Sequence, residues 1–489
     1  MRNIQKNSKK LTRVQRLFDK AIKAYKRGDF KVACKHIATC LSETQHLINA
    51  GHTDLQPFFV LMRLNYGISL NSLGDFNAAR TTYETCLGEY ERLIADGRTD
   101  LKQELAGAHM NYGNCLSNIG DFNAARTAYE QCLSEYEHLI AKGKANLKPE
   151  LVLTRMNYGI CLSNIGDFNV ARTVYEQCLS EYEGMIADGL ANLNSELALT
   201  QMNYGNCLNE LGDLNAARTA YEQCLSEYEH LIANGRADLK PELTKTRMNY
   251  GSCILSLGDS NAARTAYQTC LSEYEHLIAN GRADLKPELA KTRINYGICL
   301  DFIGDFNAAR AAYDTCLSEY EHLIADGRAD LKPELIGARM NYGTCLVSLG
   351  YLNTARMTYE TCLNEHERLI ADGRTYLKPS LAKTRLNLGN CLRKLGYLNA
   401  AGTAYETCLS EYEHLVANGR ADLTHELATT RMNYGDCLYE LGELPAARTV
   451  YEQCLSEHER LITNDQAELR SDLEKIRHKL ASCLEDISD

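Results

Sequence analysis

The chain has 489 residues, 45% of them hydrophobic and 24% charged, and carries a net charge of −11. That composition belongs to a folded chain, and its acidic balance argues against duplex nucleic acid as the main partner. No apolar stretch approaches the ~20 residues that cross a membrane, and no apolar run follows the basic start, so a cytosolic protein without a membrane partner is expected.

Residues 1–16 read as a basic tail, with Arg2, Lys6, Lys9, Lys10, Arg13 and Arg16 and no acid among them. A solvated lead into the first helix is the plain interpretation; a site for an anionic partner is the alternative. From residue 17 to residue 470 the sequence repeats itself every 46 residues, with Gly67, Gly113, Gly159 and their successors as far as Gly435 at that step. A fixed period of this size marks a solenoid, in which each unit buries its apolar face only by stacking on its neighbours. This displaces the length-based expectation of about three globular domains. Residues 471–489, with the run E-K-I-R-H-K-L, read as a single charged helix that caps the open end.

The unit Thr244–Leu289 serves for all. Tyr250, Gly251, Ile254 and Leu257 recur at 3- and 4-residue spacing, so the first half is an amphipathic helix. Gly258 suits the C′ position that ends it, and Asp259 suits the N-cap of the next helix. In that second helix Ala263, Tyr267, Cys270, Leu271, Tyr274 and Leu277 form one stripe. Asn280-Gly281 stops it, and Asp284 is read as the cap of the following unit. Helices of about 18 and 20 residues result, roughly 27–30 Å each at 1.5 Å rise. Gly251 and Ala263 are placed where the two helices of a unit cross, and Cys270 where the second helix meets the next unit. Small side chains there let helix axes approach to about 8–10 Å.

Nineteen of the 20 cysteines fall on two ladders of the same period, Cys40 to Cys454 and Cys115 to Cys483; only Cys34 stands outside. They read as small buried residues rather than a disulfide framework, and no C-x-x-C suggests zinc. His138, His230, His276, His322 and His414 come one per unit, too far apart to share a metal at ~2 Å bonds. No phosphate-binding, metalloprotease or nucleophile-elbow motif occurs, and E-Y-E-H reads as a solvated acidic face. No enzyme, cofactor or metal is expected.

Small Gly251, small Ala263, aromatic Tyr267 and small Cys270, with Gly258-Asp259 at the turn, resemble the tetratricopeptide repeat. The match recurs ten times in register. The usual first-helix Trp is replaced, mostly by Arg, as at Arg247, Arg293 and Arg339, and the unit is longer than the 34 residues usual for the family. In its length it is similar to the long-helix repeats of kinesin light chains, Pins-type polarity adaptors and bacterial peptide-sensing regulators. The resemblance implies an all-α, right-handed α-solenoid of about ten helix–turn–helix units plus the capping helix. It also implies a concave groove lined by the first helices, in which a monomeric chain holds an extended peptide or a partner's helix.

Groove residues are carried over position by position. The unvarying Asn111, Asn157, Asn203, Asn249, Asn295, Asn341, Asn387 and Asn433 stand where groove asparagines of the long-helix relatives grip a peptide backbone. Three positions after the glycine vary, among them Asn114, Asn206, Asn390 and Asp436 at the first, Asn209, Asp301, Arg393 and Tyr439 at the second, and Phe302 and Lys394 at the third. Lys245, Lys291 and Met248 are assigned to the same face. Drift of a solvated surface is the competing explanation of the variation, and a structural bond between adjacent helices that of the asparagine. The fixed second-helix arginines Arg218, Arg264 and Arg310 argue against general drift. A self-assembling solenoid and a regulatory arm of a larger effector complex remain as alternative functions.

Overall fold

The computed structural model describes residues 2–461 and 467–488, with the side chains of residues 2–9, 191, 421 and several around the last link and the C-terminus outside the description. Among the described residues there are 21 α-helices and no strand. The chain forms two compact bodies, Met1–Asp213 and Leu214–Asp489. Each is a stack of antiparallel helix pairs, a segment of α-solenoid. In unit seven, for example, a first helix (A) spans Lys286–Ile303 and a second (B) Phe306–Ala325, followed by the single 3₁₀ turn Ala329–Leu331. The terminal helices differ: the first runs Arg2–Lys26 and so includes the basic segment, and the last runs Ala467–Ser488.

The A–B turns follow from two residues. The glycine ending each A helix takes φ of 78–91°, the left-handed conformation that a Cβ disfavours. In several units the aspartate after it caps helix B: Asp75, Asp121, Asp259 and Asp305 each accept from the backbone N–H three residues on, at 3.0–3.3 Å, whereas Asp167 makes no such bond and Tyr351 and Tyr397 hold the place in two others. Asp284 does not cap. It sits in the 3₁₀ turn Ala283–Leu285 and pairs with Arg282 at 2.8 Å, while Leu285 occupies the cap position without a side-chain bond.

Packing within a unit centres on the glycine two residues after the invariant asparagine. A Cβ on Gly297 would lie 2.7 Å from the Tyr313 ring, and on Gly435 2.6 Å from Tyr451. The B-helix cysteine lies at the same crossing, its thiol donating to an A-helix carbonyl, as Cys316 does to Ala290 at 3.3 Å. Cys132 also reaches Thr154 of the next unit at 3.6 Å, so this ladder serves both interfaces. The A-helix cysteines join units: Cys345 donates to the Phe306 carbonyl of the preceding B helix at 3.4 Å. All 20 thiols are free and buried, and burial pushes most of them up to about 11 or 12.

The arginine in place of tryptophan is a two-way clamp between units. Arg339 reaches Glu365 of its own unit at 2.6 Å and Glu321 of the preceding one at 2.8 Å; Arg247 does the same with Glu273 and Glu229. Both acids of E-Y-E are therefore committed to structure rather than free in solvent. A second polar chain fixes the outer arginines. Arg126 bonds Glu130 at 2.9 Å, and Glu130 accepts from Tyr158 of the next unit at 3.0 Å; Arg172, Glu176 and Tyr204 repeat this.

Candidate functional site: the face of the A helices

Positions are counted from the invariant asparagine of each A helix, so Lys245 is −4, Asn249 is 0, Ser252 is +3, Leu255 is +6 and Ser256 is +7. Four positions, −4, 0, +3 and +7, form the accessible stripe. Met248 does not share it: it is 2% exposed, and its sulfur accepts from Thr292 of the next unit at 3.3 Å. Position +6 faces the junction with the following unit. Arg393 there bonds Asp436 at 3.1 Å, and Tyr439 donates to Asp486 of the last helix.

In the first body Asn111 Nδ2 donates to the Gly107 carbonyl of its own helix at 2.7 Å, and Asn157 Nδ2 to Asn114 Oδ1 of the preceding unit at 3.4 Å. Asn203, Asn206 and Asn209 lie half-buried. In the second body Asn249, Asn295, Asn341, Asn387 and Asn433 are half-buried at position 0. Asp436 is a local hub, receiving Arg393, Lys479 of the last helix at 2.5 Å, and Tyr451 at 2.8 Å. Arg393 also donates to the Asn433 carbonyl, so its charge is met within the chain. Lys245, Lys291 and Lys394 are exposed, and Phe302 is 65% exposed.

Much of the variation at +3 and +6 serves the buried B-helix tyrosine, whose hydroxyl needs a partner. Where +3 is polar, the hydroxyl bonds there: Tyr129 to Asn114 at 2.6 Å, Tyr267 with Ser252 at 2.8 Å, Tyr405 to Asn390 at 2.7 Å. Where +3 is Ile160 or Ile298, position +6 takes over, with Ser163 for Tyr175 and Asp301 for Tyr313 at 3.0 Å. Burial raises the Asp301 carboxyl above its ordinary range, against the bonds from Cys345 and Tyr313.

Two features of this face go beyond the residues expected from sequence. Lys383 shares the −4 register with Lys245 and Lys291, and two −4 positions, Gly107 and Gly337, carry no side chain. The aligned repeats of the sequence signal both, because a mid-helix glycine costs helix stability. Lys291 reaches solvent, yet the protein crowded around it lowers its pKa; Lys245 adds to the shift, and Glu334 and Glu288 oppose it. Among the described residues no group of three or more metal-ligating side chains could hold an ion, and no helix is long and apolar enough to cross a membrane.

The family model for the tetratricopeptide repeat matches residues 106–138, 198–230 and 382–414, and a second model of the same repeat matches 428–453. No curated protein sequence matches the chain. Among solved structures, the apo form of RapI is similar over 82% of this chain and 98% of its own, with 12% identity and a TM-score of 0.51. A Rap protein complexed with Competence and Sporulation Factor is similar over 87% of this chain and 99% of its own, with 15% identity and a TM-score of 0.50. BtubC from P. vanneervenii covers 52% of this chain and 92% of its own at 18% identity, with a TM-score of 0.40. The family models thus find tetratricopeptide repeats in several of the 46-residue units, and the glycine–tyrosine crossing recurs at that step along both bodies.

Proposed function

We propose that the chain is a non-enzymatic binding scaffold that holds an extended peptide or a partner's helix along the face of its A helices. One observation carries this reading. Once the buried tyrosines and the unit junctions have taken their polar partners, Lys245, Lys291, Lys394 and Phe302 remain exposed on that face with no structural task. Phe302 is a large apolar side chain with nothing to cover it, the kind of residue that anchors a partner. Asn295, Asn341 and Asn387, half-buried on this face, carry amide groups suited to both sides of a peptide bond. The Rap protein of similar fold is solved complexed with Competence and Sporulation Factor, a precedent for partner binding on this fold. Twenty free thiols suit a reducing, cytosolic setting.

Selection of a random dodecapeptide library on the intact chain tests this. Phe302→Ala and Asn387→Ala are expected to weaken the selected peptides at least about tenfold, roughly 1.4 kcal/mol. Arg264→Ala, on the B-helix face, should leave them unchanged. The opposite pattern would move the site to the B helices.

A further inference from the structure

Gly337 breaks the local rules of its helix. It lies inside Lys332–Ser348, has ordinary helical backbone, and an added Cβ would meet nothing within 4 Å. A mid-helix glycine costs about 1 kcal/mol relative to alanine, and here neither a turn nor a close crossing asks for it. The contrast is with Gly343 in the same helix, where a Cβ would meet the Tyr359 ring at 2.8 Å. Gly337 therefore leaves a notch in the −4 row, and the −4 residues on either side are Lys291 and Lys383. Both are exposed, and neither forms an ion pair within 4 Å among the described residues. Lys245 continues the row beyond Lys291.

Among the described residues, the surrounding acids form no ion pair with the two lysines that flank Gly337. Glu288 and Glu334 are the acids that oppose the lowering at Lys291; neither forms an ion pair with it, and Glu288 Oε2 is buried. At Lys383 the acid one turn earlier is missing: units six to eight carry Glu242, Glu288 and Glu334 there, whereas unit nine carries Ser380, bonded to His366 at 3.0 Å. In the first body Gly107 holds the same register between Leu61 and Leu153, but a Cβ there would meet the Tyr136 hydroxyl at 3.7 Å, so the open notch belongs to Gly337.

We propose that Gly337, between Lys291 and Lys383, forms a seat for an aspartate or glutamate side chain of an extended acidic segment lying on the A-helix face. Two ammonium groups approaching from adjacent units can bracket one carboxylate, and the missing side chain lets it come close to the helix. The inference rests on the binding reading above and adds the chemistry of the partner.

The test is the same dodecapeptide selection on the full chain, repeated on Lys291→Glu/Lys383→Glu. Peptides selected by the unaltered chain are expected to be enriched in Asp and Glu. The doubly reversed chain should bind those peptides at least tenfold more weakly and should itself select Lys- and Arg-rich peptides, a gain that an unfolded variant cannot produce. Gly337→Leu, which fills the notch, should also weaken the acidic peptides about tenfold. A pool without acidic enrichment, or acidic enrichment that survives charge reversal, overturns the seat. If a neutral pool is still lost on Asn295→Ala and Asn341→Ala, the groove reading stands and the seat alone falls. If an acidic pool depends on the two lysines but not on those asparagines, the seat stands without the backbone grip. A library that yields no binder overturns both.

Discussion

At the scale of single residues, two mid-helix glycines, Gly297 and Gly337, look alike in sequence and differ in what surrounds them. Gly297→Ala puts a methyl 2.7 Å from the Tyr313 ring. The ring cannot swing away in a packed crossing, so a loss of about 1–3 kcal/mol is expected. Gly337→Ala meets nothing and should gain about 0.5–1 kcal/mol. Denaturant midpoints of the two variants check this; equal midpoints would mean that the crossing is not tight. A second pair tests the tyrosine partners. Asn390→Ile strands the Tyr405 hydroxyl, because Arg393 at +6 cannot accept its proton, and should cost about 1–3 kcal/mol. Asn114→Ile should cost clearly less, because Ser117 at +6 stands where Ser163 already serves Tyr175. Equal losses would mean that +6 does not substitute for +3. The sequence displayed this variation plainly, but reading it as exchange between two positions required the tyrosine ring in place above them.

Among the helices, what joins unit to unit is polar at the rim and sulfur-lined beneath. The Arg339 clamp has partners that face solvent substantially, so screening limits each bond to roughly 0.5–1 kcal/mol. A double-mutant cycle between Arg339 and Glu321 should give a coupling of that size which shrinks with added salt. A coupling near zero at low salt would reduce the clamp to a packing role for the arginine stem. Helix boundaries, glycine stops and aspartate caps were legible from residue type and spacing, because they depend on local backbone chemistry. The assignment of Asp284 as a cap failed for a local reason too: its carboxylate is taken by Arg282, two residues away.

For the molecule as a whole, the buried thiols predict alkaline sensitivity. Burial pushes Cys86, Cys132, Cys178, Cys270, Cys316 and Cys362 up to about 12, whereas a solvated thiol ionises near 9. Above pH 9 the unfolded chain has released protons that the native chain still holds. Stability is therefore unaffected by these groups below pH 9 and falls as pH rises from about 9 towards 12. Denaturant midpoints between pH 7 and pH 10.5 should bend downward near 9, and thiol-reactive probes should label the native protein slowly at pH 7. A flat profile, or fast labelling of most thiols, would contradict the burial.

The sequence by itself determined the period, the pairing of helices, the small residues at the crossings and the face on which the asparagines lie. Each of these follows from chain-local rules or from repetition, which a single sequence displays in full. Tertiary structure decided which polar side chains are already spent. Asn114, Asn390, Asp301 and Asp436 answer buried tyrosines, Arg393 answers Asp436, and Met248 lies inside rather than on the face. Those partners sit 12 to 43 residues away in the chain, and the position of a hydroxyl or guanidinium relative to them is fixed only when neighbouring helices pack. What remains unspent, Phe302 and the lysines around Gly337, becomes visible by the same subtraction.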